Sequence, residues 1–116
     1  RLKKDEQFFL VAEVDKKVVA SSDFQVQGGD EEHLVGAIGI IVRNDYRNIG
    51  IGTEIMKNLL EQAAFFGLKT VTVNAFATNK RAIHVYEKVG FVHSGIIPKS
   101  ARARFMDEVI MSKSVL

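Results

Sequence analysis

Arg47-Asn48-Ile49-Gly50-Ile51-Gly52-Thr53 is the stretch across which the hydrophobic period of this chain changes. Before it, Leu34 to Val42 is apolar at both parities (Leu34, Ile38, Ile40 and Val42; Val35, Ala37 and Ile41), the pattern of a strand covered on both faces. Gly36 and Gly39 admit close backbone approach there. The segment is expected to be the central strand of a sheet. After the stretch, Ile51, Ile55, Leu59 and Ala63 recur every four residues, Met56, Leu60 and Phe66 widen the stripe, and Gly67 suits the position just past a helix end. That spacing predicts a helix of about 16 residues. A strand entering a helix through Gly-x-Gly presents free N–H groups and the positive end of the helix dipole to an anion, and Arg47 can add a charge-assisted hydrogen bond. A bare tight turn accounts for Gly50 and Gly52 equally well. Two familiar phosphate cradles fail: a Walker loop needs Gly-Lys-Ser/Thr where Gly52-Thr53-Glu54 stands, and a Rossmann loop needs a third Gly where Ile55 stands.

Outward from this centre, Phe8 to Val14 is apolar with a β-branched bias, and Asp15-Lys16-Lys17 supplies a turn. Val18, Ala20, Phe24 and Val26 then alternate with Ser21, Asp23, Gln25 and Gln27, which predicts a hairpin with one wet face. Gly28 to Glu32 reads as a loop. Downstream, Thr70 to Phe76 predicts a strand that returns parallel to the central one, because the helix makes the crossover. Thr78 is the expected N-cap of a second helix with Ala82, Ile83, Tyr86 and Val89 on one face, closed by Gly90 and Phe91 as in a Schellman ending. Phe91 to Ile97 and Phe105 to Met111 complete the string β-β-β-α-β-α-β-β.

The chain has 116 residues, the size of one domain, with 47% apolar and 26% charged residues. No Cys is present, which excludes disulfides, thiolate metal sites and Cys nucleophiles and points to a reducing, cytoplasmic location. No apolar stretch approaches the roughly 20 residues that span a bilayer, so no membrane association is expected. The three His lack metal-ligand spacing, and no metal is expected. The formal charge is +2, with one acid-free segment carrying Lys99, Arg102 and Arg104; a solvated turn explains it best, a contact to an anionic ligand next, and no nucleic acid is expected as a partner.

Tyr46 to Gly52, together with Asn79-Lys80-Arg81-Ala82-Ile83-His84-Val85-Tyr86-Glu87-Lys88-Val89-Gly90-Phe91, resembles the GNAT superfamily of N-acetyltransferases. The first block is similar to its Arg/Gln-x-x-Gly-x-Gly/Ala acetyl-CoA signature and the second to its N…A…Y-E-K-x-G-F signature. The resemblance, which extends to ribosomal-protein-type and polyamine-type members, implies an α/β (α+β) acyl-CoA N-acyltransferase-like fold with a mixed central sheet. It implies transfer of an acetyl group from acetyl-CoA to the amine of a small molecule or peptide by direct attack. Residues 1–116 would form one such domain, short at its N-terminus, since family members usually open with a further strand and helices and this sequence starts at Arg1. Sheet edges offer pairing surfaces for a homodimer.

The resemblance also assigns roles. The backbone from Asn48 to Thr53 (Asn48, Ile49, Gly50, Ile51, Gly52, Thr53) would hold the pyrophosphate beside Arg47, and Ile40, Ile41 and Val42 would pair with the pantetheine arm, an amide near Ile40 polarising the thioester carbonyl. Asn79 would contact the same arm, and Tyr86 would protonate the departing thiolate as general acid. A core aromatic with its hydroxyl at the rim is the alternative for Tyr86. The Glu that serves as base in the histone-acetylating branch aligns near Gly36, and that of the ribosomal branch near Asn74; neither carboxylate is present. The amine proton would leave through water steered by Asn74, or through Glu13, Asp23, Glu32 or His33. The missing base keeps open a second reading, a catalytically silent acyl-CoA-binding or sensory module.

Overall fold

The computed structural model describes residues 6–28, 34–47, 50–101 and 106–115. They form β1 (Gln7–Val14), β2 (Lys17–Gly28), β3 (Val35–Val42), α1 (Ile51–Phe65), β4 (Thr70–Phe76), α2 (Lys80–Lys88), β5 (Val92–Ile97) and β6 (Glu108–Ser114), the element order the sequence predicts. The last strand sits further along than expected and runs on to Ser114; Phe105 lies outside the described residues. The strands make one mixed sheet in the order β1-β2-β3-β4-β6-β5, with β3 and β4 parallel and the other pairs antiparallel. The last strand therefore inserts between β4 and β5, a long-range pairing that no local pattern encodes.

A two-residue turn closes the hairpin, with Asp15 and Lys16 at φ +50° and +67°. Left-handed values at both positions match the right-handed twist of the flanking strands. A bulge between Ala12 and Glu13 leaves Val19 outside the pairing register, so Val19 is buried and Val18 exposed. Simple alternation had placed Val18 with the core set; the extra residue inverts the face at that point.

From Ala20 onward the register carries one apolar face across the sheet. Phe24 and Val26 on β2, Ile38 on β3, Val71, Val73 and Ala75 on β4, and Val109 and Met111 on β6 join one cluster with Met56, Leu59, Leu60 and Ala63 of α1 and Ile83 and Tyr86 of α2. Both helices thus pack on the same face. The expectation that the central strand is covered on both sides is corrected: on the opposite face Val35 and Ala37 are only half-buried and Ile41 is 72% exposed, with no described helix above them. The sequence could not separate these cases, because an uncovered Ile and a covered one look alike.

The helix ends follow their local chemistry. Past α1, Gly67 (φ +95°) sends its N–H to Ala64 O and Leu68 sends its N–H to Ala63 O, the Schellman pair of bonds. Past α2, Gly90 (φ +101°) and Phe91 repeat them to Glu87 O and Tyr86 O. At the start of α2 the cap is Asn79, whose side chain accepts from Ala82 N at 3.2 Å, and not Thr78 as expected. Thr78 instead directs its hydroxyl to Met106 Sδ at 2.9 Å. No described helix is long and apolar enough to cross a membrane.

Candidate active site

The site begins with a defect in the sheet. β3 and β4 are paired only over Val35–Ala37 and Thr70–Thr72, after which the two strands part. Alternate residues of a strand send their N–H and C=O to opposite neighbours. Arg43 N–H donates to Val19 O, toward β2, while Leu34 O accepts from Lys69 N on the β4 side. By that alternation Ile38, Ile40 and Val42 point their backbone groups into the fork, where no described strand meets them. Val42 O accepts from Arg47 Nε at 3.3 Å, which brings the guanidinium to the mouth of the fork.

The start of α1 adds donors. Its N-cap is Gly50, at φ +87° and without any capping side chain, and the first intrahelical bond is Glu54 N–H to Gly50 O. The N–H groups of Ile51, Gly52 and Thr53 are therefore unused by the helix. The left-handed turn at Gly50 is conformational in origin, since a Cβ there would meet nothing within 4 Å. Gly50→Ala is expected to cost about 1 kcal/mol from backbone strain alone, measured by urea denaturation.

These groups open on a cleft of about 1080 Å³ between the start of α1, the fork and α2. Ile40, Ile41, Val42, Arg47, Gly50, Gly52 and Thr53 line one side. Asn79 and Tyr86 line the other, together with residues that the sequence reading did not assign: Thr78, Lys80, Arg81, Ala82, His84, Val85 and Lys88. A signal for four of them was present, because Arg81, His84, Val85 and Lys88 fall at i, i+3, i+4 and i+7 and form one helical stripe beside the apolar one. Among the described residues, Arg47, Lys80, Arg81 and Lys88 give the lining four cations, and no carboxylate lines it. With two helix N-termini opening on the same space, the cleft suits a large polyanion.

Tyr86 joins the cleft to the core. It is 6% exposed, with its ring 6.0 Å from that of Phe91. Among the described residues it has no hydrogen bond and no buried side-chain oxygen or nitrogen lacks a partner, so its hydroxyl reaches the open space of the cleft. Burial pushes the phenol above its ordinary value of 10. Asn79 spends its side-chain oxygen on the cap of α2, which leaves its NH₂ group available to the cleft.

Two of the expected residues are not among those lining the cleft: Ile51, whose N–H belongs to the helix start, borders a small recess against Leu10 to Val14 of β1, and Asn74, on β4 just past its last pair with β3, is exposed on the face of the sheet turned away from the helices. Asn48, Ile49, Glu32, His33, Arg102 and Arg104 lie outside the described residues. No group of His, Cys, Asp and Glu that could hold a metal occurs among the described residues.

A split strand pair, an uncapped Gly-x-Gly helix start and a cationic cleft are joined by a direct match: the model of the Acetyltransferase (GNAT) family covers residues 1–91. The chain belongs to the GNAT family. Among curated GNAT relatives, the probable N-acetyltransferase camello of Xenopus tropicalis is 34% identical over 89 residues, which is 76% of this chain and 40% of that protein. The L-amino acid N-acetyltransferase AaaT of Escherichia coli (strain K12) is 28% identical over 107 residues, 90% of this chain and 66% of that protein. The chain thus spans less than two thirds of the length of these two relatives. The GNAT fold is shared with yncA from Salmonella typhimurium, whose structure was solved with its cofactor acetyl-CoA: TM-score 0.82 and 17% identity, over 93% of this chain and 64% of that one.

Proposed function

We propose that this GNAT chain binds acetyl-CoA in the cleft and transfers the acetyl group to an amine by direct attack, without an acyl-enzyme. The observation that carries this reading is the unpaired edge of β3 running into the uncapped start of α1, under a cationic wall. An extended arm bearing amides can add to the free edge at Ile38, Ile40 and Val42 as a strand would. The N–H groups of Ile51, Gly52 and Thr53, with Arg47, meet a pyrophosphate, and Lys80, Arg81 and Lys88 meet further phosphate charge. Acetyl-CoA supplies an activated thioester. An N–H near Ile40 polarises its carbonyl, and Tyr86 donates a proton to the thiolate as it leaves. The N-acetyltransferase names of both curated relatives and the acetyl-CoA complex of the yncA structure support this reading.

Acetyl-CoA at about 100 times its Kd is expected to add about 2.7 kcal/mol of stability, seen as a Tm increase of about 10 °C. AMP and ATP, which lack the arm that pairs with β3, are expected to give much less. The absence of any shift with acetyl-CoA overturns the reading.

The lack of a carboxylate among the described lining residues favours one second reading, an acyl-CoA-binding module without turnover. Thiol release from acetyl-CoA in the presence of polyamines, amino acids, peptides and aminoglycosides separates the two: steady release supports transfer, and tight binding with no release supports the module.

A further inference from the structure

From the placement of Asp23 against the fork, we infer that its carboxylate is the docking group for a cationic acceptor amine, entering from the sheet face opposite Tyr86. This rests on the acetyl-transfer reading above and names its substrate class: primary alkylamines, protonated at neutral pH.

In the pairing of β2 with β3, Asp23 stands directly across from Gly39, two residues beyond Ala37, where pairing with β4 ends. Gly39 has no side chain, and Asp23 fills the space: its Oδ1 lies 2.9 Å from where a Cβ of Gly39 would be. The carboxylate thus lies across β3 toward the fork. Ser22, the preceding residue, points to the other face and donates from Oγ to Gly39 O at 3.1 Å, which holds this part of β3 in place. Tyr86 lies on the helix face of the sheet and Asp23 on the open one. A thioester carbonyl held along the edge of β3 would thus have a proton donor for its leaving group on one side and an anion on the other.

The surroundings of Asp23 fit an unpaired anion awaiting a cation. Its register neighbours on the open face are Phe9 on β1, Ser21 and Gln25 on β2, and Ala37 and Ile41 on β3, none of them charged. Glu13, further along β1, shares its sign. Among the described residues no salt bridge reaches it, and burial alone raises its pKa above the ordinary 3.8. An ammonium group entering at the fork supplies the missing partner.

Asp23 binds the ammonium and accepts one proton, directly or through one water, and later returns it to solvent. The amine nitrogen bonds to the carbonyl carbon, the C–S bond breaks, and Tyr86 gives its proton to the thiolate. The second nitrogen proton restores the Tyr86 phenol through water. The net result is one amide, one thiol and one released proton.

The test uses the full chain, acetyl-CoA and two kinds of acceptor: spermidine, an amino acid and a short peptide as cations, and aniline as an amine that is neutral at pH 7. Asp23→Asn is expected to raise KM for the cationic acceptors about 10-fold or more, the worth of a charge-assisted hydrogen bond. The loss in kcat/KM is expected to be several-fold smaller with aniline, which brings no ammonium charge to the carboxylate, and the acetyl-CoA melting shift to stay unchanged. Gly39→Ala, which displaces the carboxylate without removing it, is expected to act in the same direction. In the wild type, KM for spermidine rises as pH falls through the pKa of Asp23, and in Asp23→Asn that rise disappears. Because a raised pKa costs stability once the group ionises, Asp23→Asn is expected to melt no lower than wild type at pH 7. Unchanged KM in both variants, equal losses with aniline and spermidine, or a wild type inactive on every cationic amine overturns the assignment. The acetyl-CoA melting shift fails only if the acetyl-transfer reading itself fails.

Discussion

Tyr86→Phe is expected to lower kcat about 100-fold while leaving the affinity for acetyl-CoA within about 2-fold of wild type. The two roles open to this residue, acid and core aromatic, separate in this variant. Phe keeps the ring, its packing on Phe91 and its place among Ile83 and Val109, so the melting temperature is expected to hold. Only the hydroxyl is lost, and among the described residues it has no hydrogen-bond partner that its removal would strand. A fall in kcat therefore reports on chemistry at the cleft. The elevated phenol pKa gives a second readout: the group stays protonated through the neutral and mildly alkaline range, so the alkaline decline in kcat assigned to it lies above pH 10. Turnover equal to wild type removes Tyr86 from the acid role and leaves it as core.

Phe24→Ala is expected to be the most damaging substitution for the fold, at about 3–5 kcal/mol. Phe24 is fully buried in the middle of β2, and its ring stacks on Phe8 of β1 at 5.4 Å and 12°. It couples the hairpin to α1 through the shared core. Against the roughly 5–15 kcal/mol that a domain has in total, this loss is large, and at about 4 °C per kcal/mol it lowers Tm by about 12–20 °C. Phe9, one residue after Phe8 and 63% exposed on the open face, is the control: Phe9→Ala is expected to cost under about 1 kcal/mol. Calorimetry of both variants checks the pair, and similar losses would mean that the open face is covered in the folded protein.

Apart from the parallel return of β4, which follows from the helical crossover, the features read correctly from the sequence have causes that lie within a few residues. The helix after Gly52 is written in a four-residue apolar recurrence, and its end in Gly67, because a left-handed residue terminates a helix wherever the chain lies. The Schellman ending at Gly90 and Phe91 was legible for the same reason. The Gly-x-Gly turn and the Asn79 to Phe91 block, being contiguous, were enough to point to the GNAT family. Where a single residue broke a local rule, the reading failed locally: the bulge at Ala12 exchanged Val18 for Val19, and the cap of α2 moved from Thr78 to Asn79.

What the tertiary structure alone decided concerns groups brought together from distant parts of the chain. The sequence shows Ile40 as an apolar residue of a strand; only the three-residue pairing of β3 with β4 shows that the backbone beyond it is free. Lys80, Arg81 and Lys88 read as ordinary surface charge until α2 is set against the start of α1 and they become a cationic wall. Asp23 was one of several candidates for taking the amine proton, and the register of β2 on β3 put it over Gly39, on the face opposite Tyr86. Periodicity and capping act over a few bonds and so leave their mark in the order of residues. A strand's register and the side of the sheet on which a helix packs follow from burying the whole apolar face at once, a sum over the chain that no short segment contains.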